Sequence, residues 1–146
     1  MTAPRHDHIF VYGTLQRSAG HPFGAKMREM ADFIGEGSIA ARLYIVTDPD
    51  DATNAYPGAL PSPNPEERVH GEIYAIRDRE ALFAALDRFE GIAPDLPEPH
   101  EFALRSVEVT TAAGALRAHS YLYTWDVSDA RRLEDGRYTE AAPDVR

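Results

Sequence analysis

The sequence predicts an α+β fold in which a small, mostly antiparallel set of strands is flanked by helices. Apolar residues alternate along several short runs, as they do in strands that bury one face. They recur at helical spacing near residues 24–34 and 78–90. Because 146 residues with 43% apolar content suffice for one core but hardly for two, we expect a single domain over residues 1–146. Its core should span about residues 8–126, followed by a polar C-terminal tail.

The composition argues against several classes of partner. The net charge of −9 repels phosphate backbones and the arginines are scattered, so nucleic acid is not an expected partner. No apolar stretch is long enough to span a membrane, and residues 1–7 lack the apolar segment of a signal peptide. The absence of cysteine fits a reducing compartment. We therefore expect a cytoplasmic protein without membrane or nucleic-acid partners.

The first predicted strand runs into a turn at Gly13 and Thr14. The apolar residues from Ile9 to Val11 precede this turn directly, so its peptide N–H groups are left without partners in a strand ladder. Such N–H groups can bind an anion. Two interpretations follow: Tyr12 to Leu15 form a backbone cradle for a carboxylate or an oxyanion, or they are an ordinary junction between a strand and a loop.

A helix and a strand are predicted next. Met27 and Ile34 lie at helical spacing, which predicts a helix over residues 24–34 that ends near Gly35. Apolar residues then alternate over residues 39–45, which predicts a strand with one face on a core.

The following loop carries three acidic residues, Asp48, Asp50 and Asp51. It lacks the glycine and the distal glutamate of a calcium-binding loop, so we interpret it as a solvated turn. The histidines are mostly dispersed, and no metal site is predicted. Tyr-Pro-Gly at residues 56–58 predicts a further turn.

Residues 69–76 predict a strand that is buried on both faces, because apolar side chains occupy both odd and even positions. Burial of both faces indicates a barrel or a sheet covered by helices. Glu72 lies within this strand and must be solvated, paired with a cation or placed in a pocket. A paired or exposed carboxylate is the ordinary outcome, and a role in a pocket is the alternative.

Residues 78–90 predict an amphipathic helix, with Asp78 suited to the N-cap and Gly91 placed to end it. Glu90 then lies at the negative end of the helix dipole, where a carboxylate is disfavoured. It is either a general base in an apolar site or a surface residue at a frayed helix end. The residue pattern alone leaves both interpretations open.

The last predicted elements are strands over residues 102–111 and 116–125, joined by a turn at Ala113-Gly114. Tyr121 lies on the second strand, among other aromatic residues on the same face. The tail that follows is polar, and we expect it to be loosely held. Tyr138 in this tail is either a surface residue or reaches back to a pocket.

Four short motifs occur in order along the chain: Tyr12-Gly13-Thr14-Leu15, Tyr56-Pro57-Gly58, Val69-His70-Gly71-Glu72-Ile73-Tyr74 and Leu86-Asp87-Arg88-Phe89-Glu90-Gly91. Together they resemble the γ-glutamylcyclotransferase-like family, in the branch of γ-glutamylamine cyclotransferases and plant-type AIG2-like proteins. The resemblance covers the chain from about Ile9 to Trp125. It implies that the strands close into a small mixed β-barrel with flanking helices.

The resemblance also implies a function, the conversion of a γ-glutamyl amine or amide to 5-oxoproline and a free amine. The catalytic acid–base glutamate of the family corresponds to Glu90, and the turn from Tyr12 to Leu15 would hold the γ-glutamyl group. The implied partner is a small γ-glutamyl molecule. The substrate carries its own nucleophile, so no cofactor or metal is implied. Glu72, Tyr121 and Tyr138 are further candidates for the pocket.

Two alternatives to this function stay open. Glutathione or a γ-glutamyl amino acid could be the substrate, although the glutathione-specific relatives carry serine at the position of Thr14. A domain that binds a small carboxylate without turnover is the second alternative, because Phe102 and Leu104 replace a tyrosine and an arginine of the family. Those two residues either change substrate binding or only pack locally. Residues 93–99 form a longer loop than the family usually has, and we predict that this loop acts as a lid.

Overall fold

A closed barrel of five strands forms the centre of the fold. The computed structural model describes residues 7–48, 51–90, 92 and 100–138. Its strands and helices, in chain order, are β1 His8–Val11, α1 Pro22–Met27, β2 Ala31–Asp48, β3 Asp51–Pro61, β4 Arg68–Ile76, α2 Arg79–Phe89, β5 Phe102–Thr111, β6 Gly114–Tyr123 and β7 Arg131–Leu133.

The strand order around the barrel is β2-β4-β1-β6-β5, and the barrel closes because β5 pairs with β2. Four of the five pairs are antiparallel, and β1 with β6 is the parallel pair. The closing contact is short, with Ser38 of β2 paired to Thr110 of β5. The predicted α+β class, with a small, mostly antiparallel barrel and flanking helices, is therefore confirmed.

The long strand β2 belongs to two sheets. Its first part, from Ala31 to Ala40, pairs with β4 in the barrel. Its second part, from Ala41 to Asp48, pairs with β3 on one side and with β7 on the other. The two additional strands therefore extend one side of the barrel, and β3 contributes to the wall of the cavity described below.

Strand β4, which was predicted to be buried on both faces, and its neighbour β1 separate two apolar clusters. One cluster lies inside the barrel and includes Phe10 from β1 and Val69 and Ile73 from β4. The other lies outside the barrel, where Tyr74 packs with the helices and with the opposite face of β1. Because the helices cover the outer face, apolar residues occupy both odd and even positions of these strands.

Helix α2 forms where it was predicted. The side chain of Asp78 caps it by accepting a hydrogen bond from the N–H of Ala81 at 3.2 Å, and Glu90 is the C-cap. Leu82 and Leu86 are completely buried against the barrel. Burial of a leucine side chain stabilises a fold by roughly 1.5–3 kcal/mol, so these two residues fix the helix and hold its C-terminus in place.

Two local predictions are wrong. The helix predicted over residues 24–34 ends at Met27, and residues 31–34 belong to β2. Pairing of these residues with β4 outweighs their helical spacing. The turn predicted at residues 56–58 is part of β3, where Pro57 faces Ile45 of β2. A proline is tolerated there because β3 lies at the edge of its sheet.

The remaining elements are close to the predictions. The hairpin of β5 and β6 forms, with Thr111 paired to Gly114 across its turn. The tail is held more firmly than expected as far as Tyr138, because β7 pairs with β2. The predicted helix stop at Gly91 and the predicted lid at residues 93–99 lie outside the described residues. In the described ranges, no helix is long and apolar enough to cross a membrane.

Candidate active site

A cavity of about 480 Å³ opens where β1 ends, between β3, the C-terminus of α2 and the start of β5. It brings together most of the residues that the sequence singled out, although they are distant along the chain. The candidates that line it are Tyr12, Gly13, Thr14, Leu15, Glu90, Tyr121 and Tyr138. A cavity of this volume is in the usual range for a small-molecule site.

The turn after β1 lines the wall of this cavity with Gly13, Thr14 and Leu15. The N–H of Gln16 donates to the carbonyl of Gly13 at 3.0 Å, which closes the turn. Among the described residues, no hydrogen-bond acceptor is recorded for the N–H groups of Gly13, Thr14 and Leu15. Unpaired donors at a cavity wall are suited to bind a carboxylate or a developing oxyanion.

Gly13 is required by close packing rather than by an unusual backbone conformation. Its φ angle is not positive, but a Cβ atom at this position would lie 2.4 Å from Cγ of Pro57. The turn after β1 and strand β3 therefore approach each other more closely than any other residue would allow.

The side chain of Tyr12 ties three strands together. Its hydroxyl donates to the carbonyl of Tyr121 at 2.7 Å and accepts from the N–H of Ala59 at 3.1 Å. Burial and the nearby charge of Glu90 raise the pKa of Tyr12, so it stays protonated at physiological pH. The two hydrogen bonds of its hydroxyl therefore hold the backbone at Tyr12 in place beside the cavity.

Glu90 is positioned by the end of α2. Its N–H donates to the carbonyl of Leu86 at 2.8 Å, and the N–H of Ile92 donates to the carbonyl of Asp87 at 2.7 Å, which closes the last turn. The preceding residue, Phe89, stacks on Phe23 of α1 with ring centroids 4.4 Å apart. Backbone hydrogen bonds and the stacked ring of Phe89 therefore both hold the helix C-terminus in place.

The carboxyl group of Glu90 lies in surroundings that disfavour its charge. Burial, and secondarily the charge of Glu101, raise the pKa of Glu90 from its ordinary value of 4.5 to about 8. The helix dipole is worth only about 0.3–1 kcal/mol at an exposed helix end, which is less than one pKa unit. Loss of hydration is therefore the main cause, and it gives a carboxyl that exchanges protons near neutral pH.

Tyr121 supports α2 as well as lining the cavity. Its hydroxyl donates to Oδ1 of Asp87 at 2.6 Å, and burial together with Asp87 raises the pKa of Tyr121. Asp87 lies three residues before Glu90 on the same helix. The hydrogen bond therefore connects β6 with the last turn of α2 and fixes the distance of that turn from the barrel.

A second carboxyl group in the cavity, that of Glu101, was missed by the sequence analysis. It accepts a hydrogen bond from the hydroxyl of Tyr56 on β3. Burial raises the pKa of Glu101, and the charge of Asp48 adds to the effect. Nothing in the sequence separates Glu101 from a surface acid, although its neighbour Phe102 was recognised as a departure from the family.

Glu72 does not line this cavity. It lies in a neighbouring open cleft of about 690 Å³ on the other side of the turn after β1. The residue is buried, and it accepts hydrogen bonds from the N–H of Arg17 at 3.0 Å, from Nε of Arg17 at 3.1 Å and from the hydroxyl of Tyr74 at 2.8 Å. The ordinary expectation for Glu72, an ion-paired carboxylate, therefore agrees with the structure.

The two departures from the family have different surroundings. Phe102 is buried, lines the cavity and packs edge-on against Tyr123, with ring centroids 5.3 Å apart. Leu104 packs against the apolar cluster outside the barrel and does not line the cavity. In the described residues, no group of three or more histidine or acidic side chains is arranged to hold a metal ion.

The sequence matches the family model for gamma-glutamyl cyclotransferase, AIG2-like, over residues 9–140. The chain belongs to this family. A search of curated proteins gave no match.

Solved structures agree with the AIG2-like assignment at the level of the fold. An AIG2-like protein of Mus musculus has 23% identity and a TM-score of 0.65, with 97% of this chain and 99% of that chain covered. A protein described as gamma-glutamyl cyclotransferase has 16% identity and a TM-score of 0.60, with 88% and 70% covered. YkqA of Bacillus subtilis has 18% identity and a TM-score of 0.62, and the match covers 92% of this chain but 40% of YkqA.

Proposed function

We propose that this protein is a cyclotransferase that converts a γ-glutamyl amine or amide to 5-oxoproline and a free amine. In this reaction the α-amino nitrogen of the substrate attacks its own γ-carbonyl carbon. A ring C–N bond forms, and the C–N bond to the amine breaks. The α-ammonium group loses one proton before the attack, and its nitrogen loses a second as the ring amide forms. The departing nitrogen gains two protons and leaves as an ammonium ion, so the net proton count is unchanged.

The observation that carries the proposal is the placement of Glu90 in one cavity with the turn from Gly13 to Leu15. An intramolecular acyl transfer needs a group that accepts and returns a proton, and it needs donors for the charge that develops on the carbonyl oxygen. Ring closure supplies the proximity that other acyl transfers obtain from an enzyme nucleophile. One carboxyl group for proton transfer and a set of peptide N–H groups for the carbonyl oxygen are therefore sufficient for this reaction.

The pKa of Glu90 suits the proton transfer that we assign to it. Burial raises the pKa of Glu90 to about 8, which brings it closer to the pKa of an α-ammonium group than that of an ordinary glutamate. Transfer of a proton between groups of similar pKa costs little free energy in either direction. Glu90 can thus take the proton of the α-ammonium group and later give it to the departing nitrogen.

In the proposed complex the substrate lies between the turn and α2. The N–H groups of Gly13, Thr14 and Leu15 donate hydrogen bonds to oxygens of the γ-glutamyl group, and the carboxyl group of Glu90 contacts its α-amino nitrogen. The cavity volume of about 480 Å³ leaves room beyond the γ-glutamyl group for the amine. The side chains around this remaining space, among them Tyr56 and Glu101, would then contact the amine.

The test is an assay for 5-oxoproline with the purified protein and a panel of γ-glutamyl compounds. The panel contains γ-glutamyl amines, γ-glutamyl amino acids and glutathione. We expect release of 5-oxoproline and free amine from one or more γ-glutamyl amines. Preferred turnover of glutathione or of a γ-glutamyl amino acid would change the substrate class. Absence of turnover across the panel, with 5-oxoproline still bound, would favour a domain that binds a small carboxylate without catalysis.

A further inference from the structure

The side chain of Gln16 makes three contacts with backbone carbonyl groups at the cradle. Its Nε2 atom lies 3.0 Å from the carbonyl oxygen of Tyr12, 3.3 Å from that of Gly13 and 3.1 Å from that of Tyr138. All three partners are acceptors, so only the NH₂ end of the amide can occupy this position. The two N–H groups of this amide are therefore shared among two consecutive carbonyls of the turn and the carbonyl of Tyr138.

Gln16 lies on the side of the turn that faces away from Glu90. It lines the neighbouring cleft of about 690 Å³, and it is not part of the wall of the Glu90 cavity. Gly13 and Thr14 line the Glu90 cavity and not the neighbouring cleft. The turn is consequently a thin partition, with the amide of Gln16 on one side and the substrate cavity on the other.

The planarity of the peptide bond connects these two sides. In a trans peptide the C=O and the following N–H point in opposite directions. When Gln16 holds the carbonyls of Tyr12 and Gly13 toward the neighbouring cleft, the N–H groups of Gly13 and Thr14 point toward the Glu90 cavity. The carbonyl of Gly13 also accepts from the backbone N–H of Gln16 at 3.0 Å, so the side chain of Gln16 reinforces that hydrogen bond and adds one to the carbonyl of Tyr12.

We infer that Gln16 is the positioning residue of the N–H cradle, holding the peptide planes around Gly13 from behind and tying them to the C-terminal segment at Tyr138. Gln16 does not touch the substrate. The inference rests on the proposed function for the identity of the ligand, but the orientation of the peptide planes is a property of the free protein.

Three substitutions separate hydrogen-bond donation from side-chain size. Gln16→Met keeps the length without a donor, and Gln16→Glu keeps the shape but places an acceptor opposite the carbonyls. Gln16→Lys restores N–H donors through its ammonium group. Arg132→Met is the matched control, because it removes a contact of the C-terminal segment to Glu67 and leaves the cradle untouched.

With the best γ-glutamyl amine of the panel, we expect kcat/KM to fall about 10–100-fold in Gln16→Met and in Gln16→Glu, as for a misplacement of binding groups by about 1 Å. The dissociation constant of 5-oxoproline should rise in the same two variants. Gln16→Lys should retain kcat/KM within a few-fold of wild type. Arg132→Met should lower thermal stability without changing KM. The pH dependence of kcat should be the same in all variants, since Glu90 is not altered.

A measurement without ligand keeps the inference separate from the proposed function. In ¹H–¹⁵N spectra of the free protein, the amide signals of Gly13 and Thr14 should broaden or split in Gln16→Met and remain single in Gln16→Lys. Unchanged amide signals together with an unchanged 5-oxoproline dissociation constant in Gln16→Met would overturn the inference. Changed amide signals in a protein without turnover would support the positioning role and would reject the proposed reaction.

Discussion

Substitution of Glu90 by glutamine should make the fold more stable at alkaline pH, even though the residue is proposed to be catalytic. The pKa of Glu90 is raised from 4.5 to about 8 in the folded protein. Between these two pH values the folded state keeps a proton that the unfolded state releases, so the stability of the wild type falls as pH rises through this window. Glutamine cannot ionise, and the variant does not lose this stability.

The expected size of the effect follows from the same shift. At about 1.4 kcal/mol per pKa unit, complete ionisation above pH 8 would cost the fold at most about 5 kcal/mol. The residue is only partly buried, and water screens part of this cost, so we expect a gain of about 1–3 kcal/mol for Glu90→Gln. That gain corresponds to about 2–4 °C in Tm per kcal/mol for a chain near this size.

Thermal unfolding between pH 5 and pH 9 is the assay, with Glu66→Gln as the control. Glu66 is exposed, and its substitution makes the same chemical change without removing a carboxyl from the cavity. The difference in Tm between Glu90→Gln and the wild type should be small at pH 5, increase toward pH 8 and then level off. A difference that stays constant with pH, or that matches the control, would refute the placement of Glu90 in an environment that disfavours its charge.

Three further predictions concern the rest of the site. Gly13→Val should abolish turnover, because a side chain at this position collides with the neighbouring proline ring. The control Gly35→Val should be active, since a Cβ atom there meets no atom within 4 Å. Equal activity of the two variants would remove the turn from the mechanism. Leu104→Arg should leave KM unchanged and lower stability by about 1–3 kcal/mol, since Leu104 packs outside the cavity; a lower KM would instead assign it to substrate binding. Glu101→Gln should move the acidic limb of the pH profile of kcat/KM to lower pH, because the charge of Glu101 raises the pKa of Glu90, and an unmoved limb would contradict this coupling.

The elements that could be predicted from the sequence are those whose local pattern agrees with their tertiary contacts. Helix α2 has a capping residue, an apolar face and a length that are all typical of a helix. Strand β4 is apolar at both odd and even positions, as expected for a strand that is buried on both faces. Residues 31–34 were predicted to be helical because a few apolar residues fit that period. Their extended conformation depends on pairing with β4, which is remote in sequence.

The candidate site was predictable to a similar extent. The turn at Gly13 and the carboxyl at Glu90 stand at the ends of regular elements, so their positions follow once those elements are recognised. Glu101 does not lie at the end of a recognisable sequence element. It reaches the cavity only because the hairpin of β5 and β6 begins beside Tyr56. The partner of Glu72 is likewise remote, since Arg17 lies 55 positions away in the chain, and no local pattern predicts that ion pair.

The most direct test of the central claim is the turnover of Glu90→Gln on a γ-glutamyl amine that the wild type converts to 5-oxoproline. Glutamine keeps the shape of the side chain and removes the titrating group. We predict that kcat falls roughly 10²–10⁴-fold, the usual contribution of acid–base assistance, while the dissociation constant of 5-oxoproline stays close to that of the wild type. Turnover near the wild-type rate would contradict the mechanism and would transfer the role of the base to Glu101, the other carboxyl of raised pKa in the cavity.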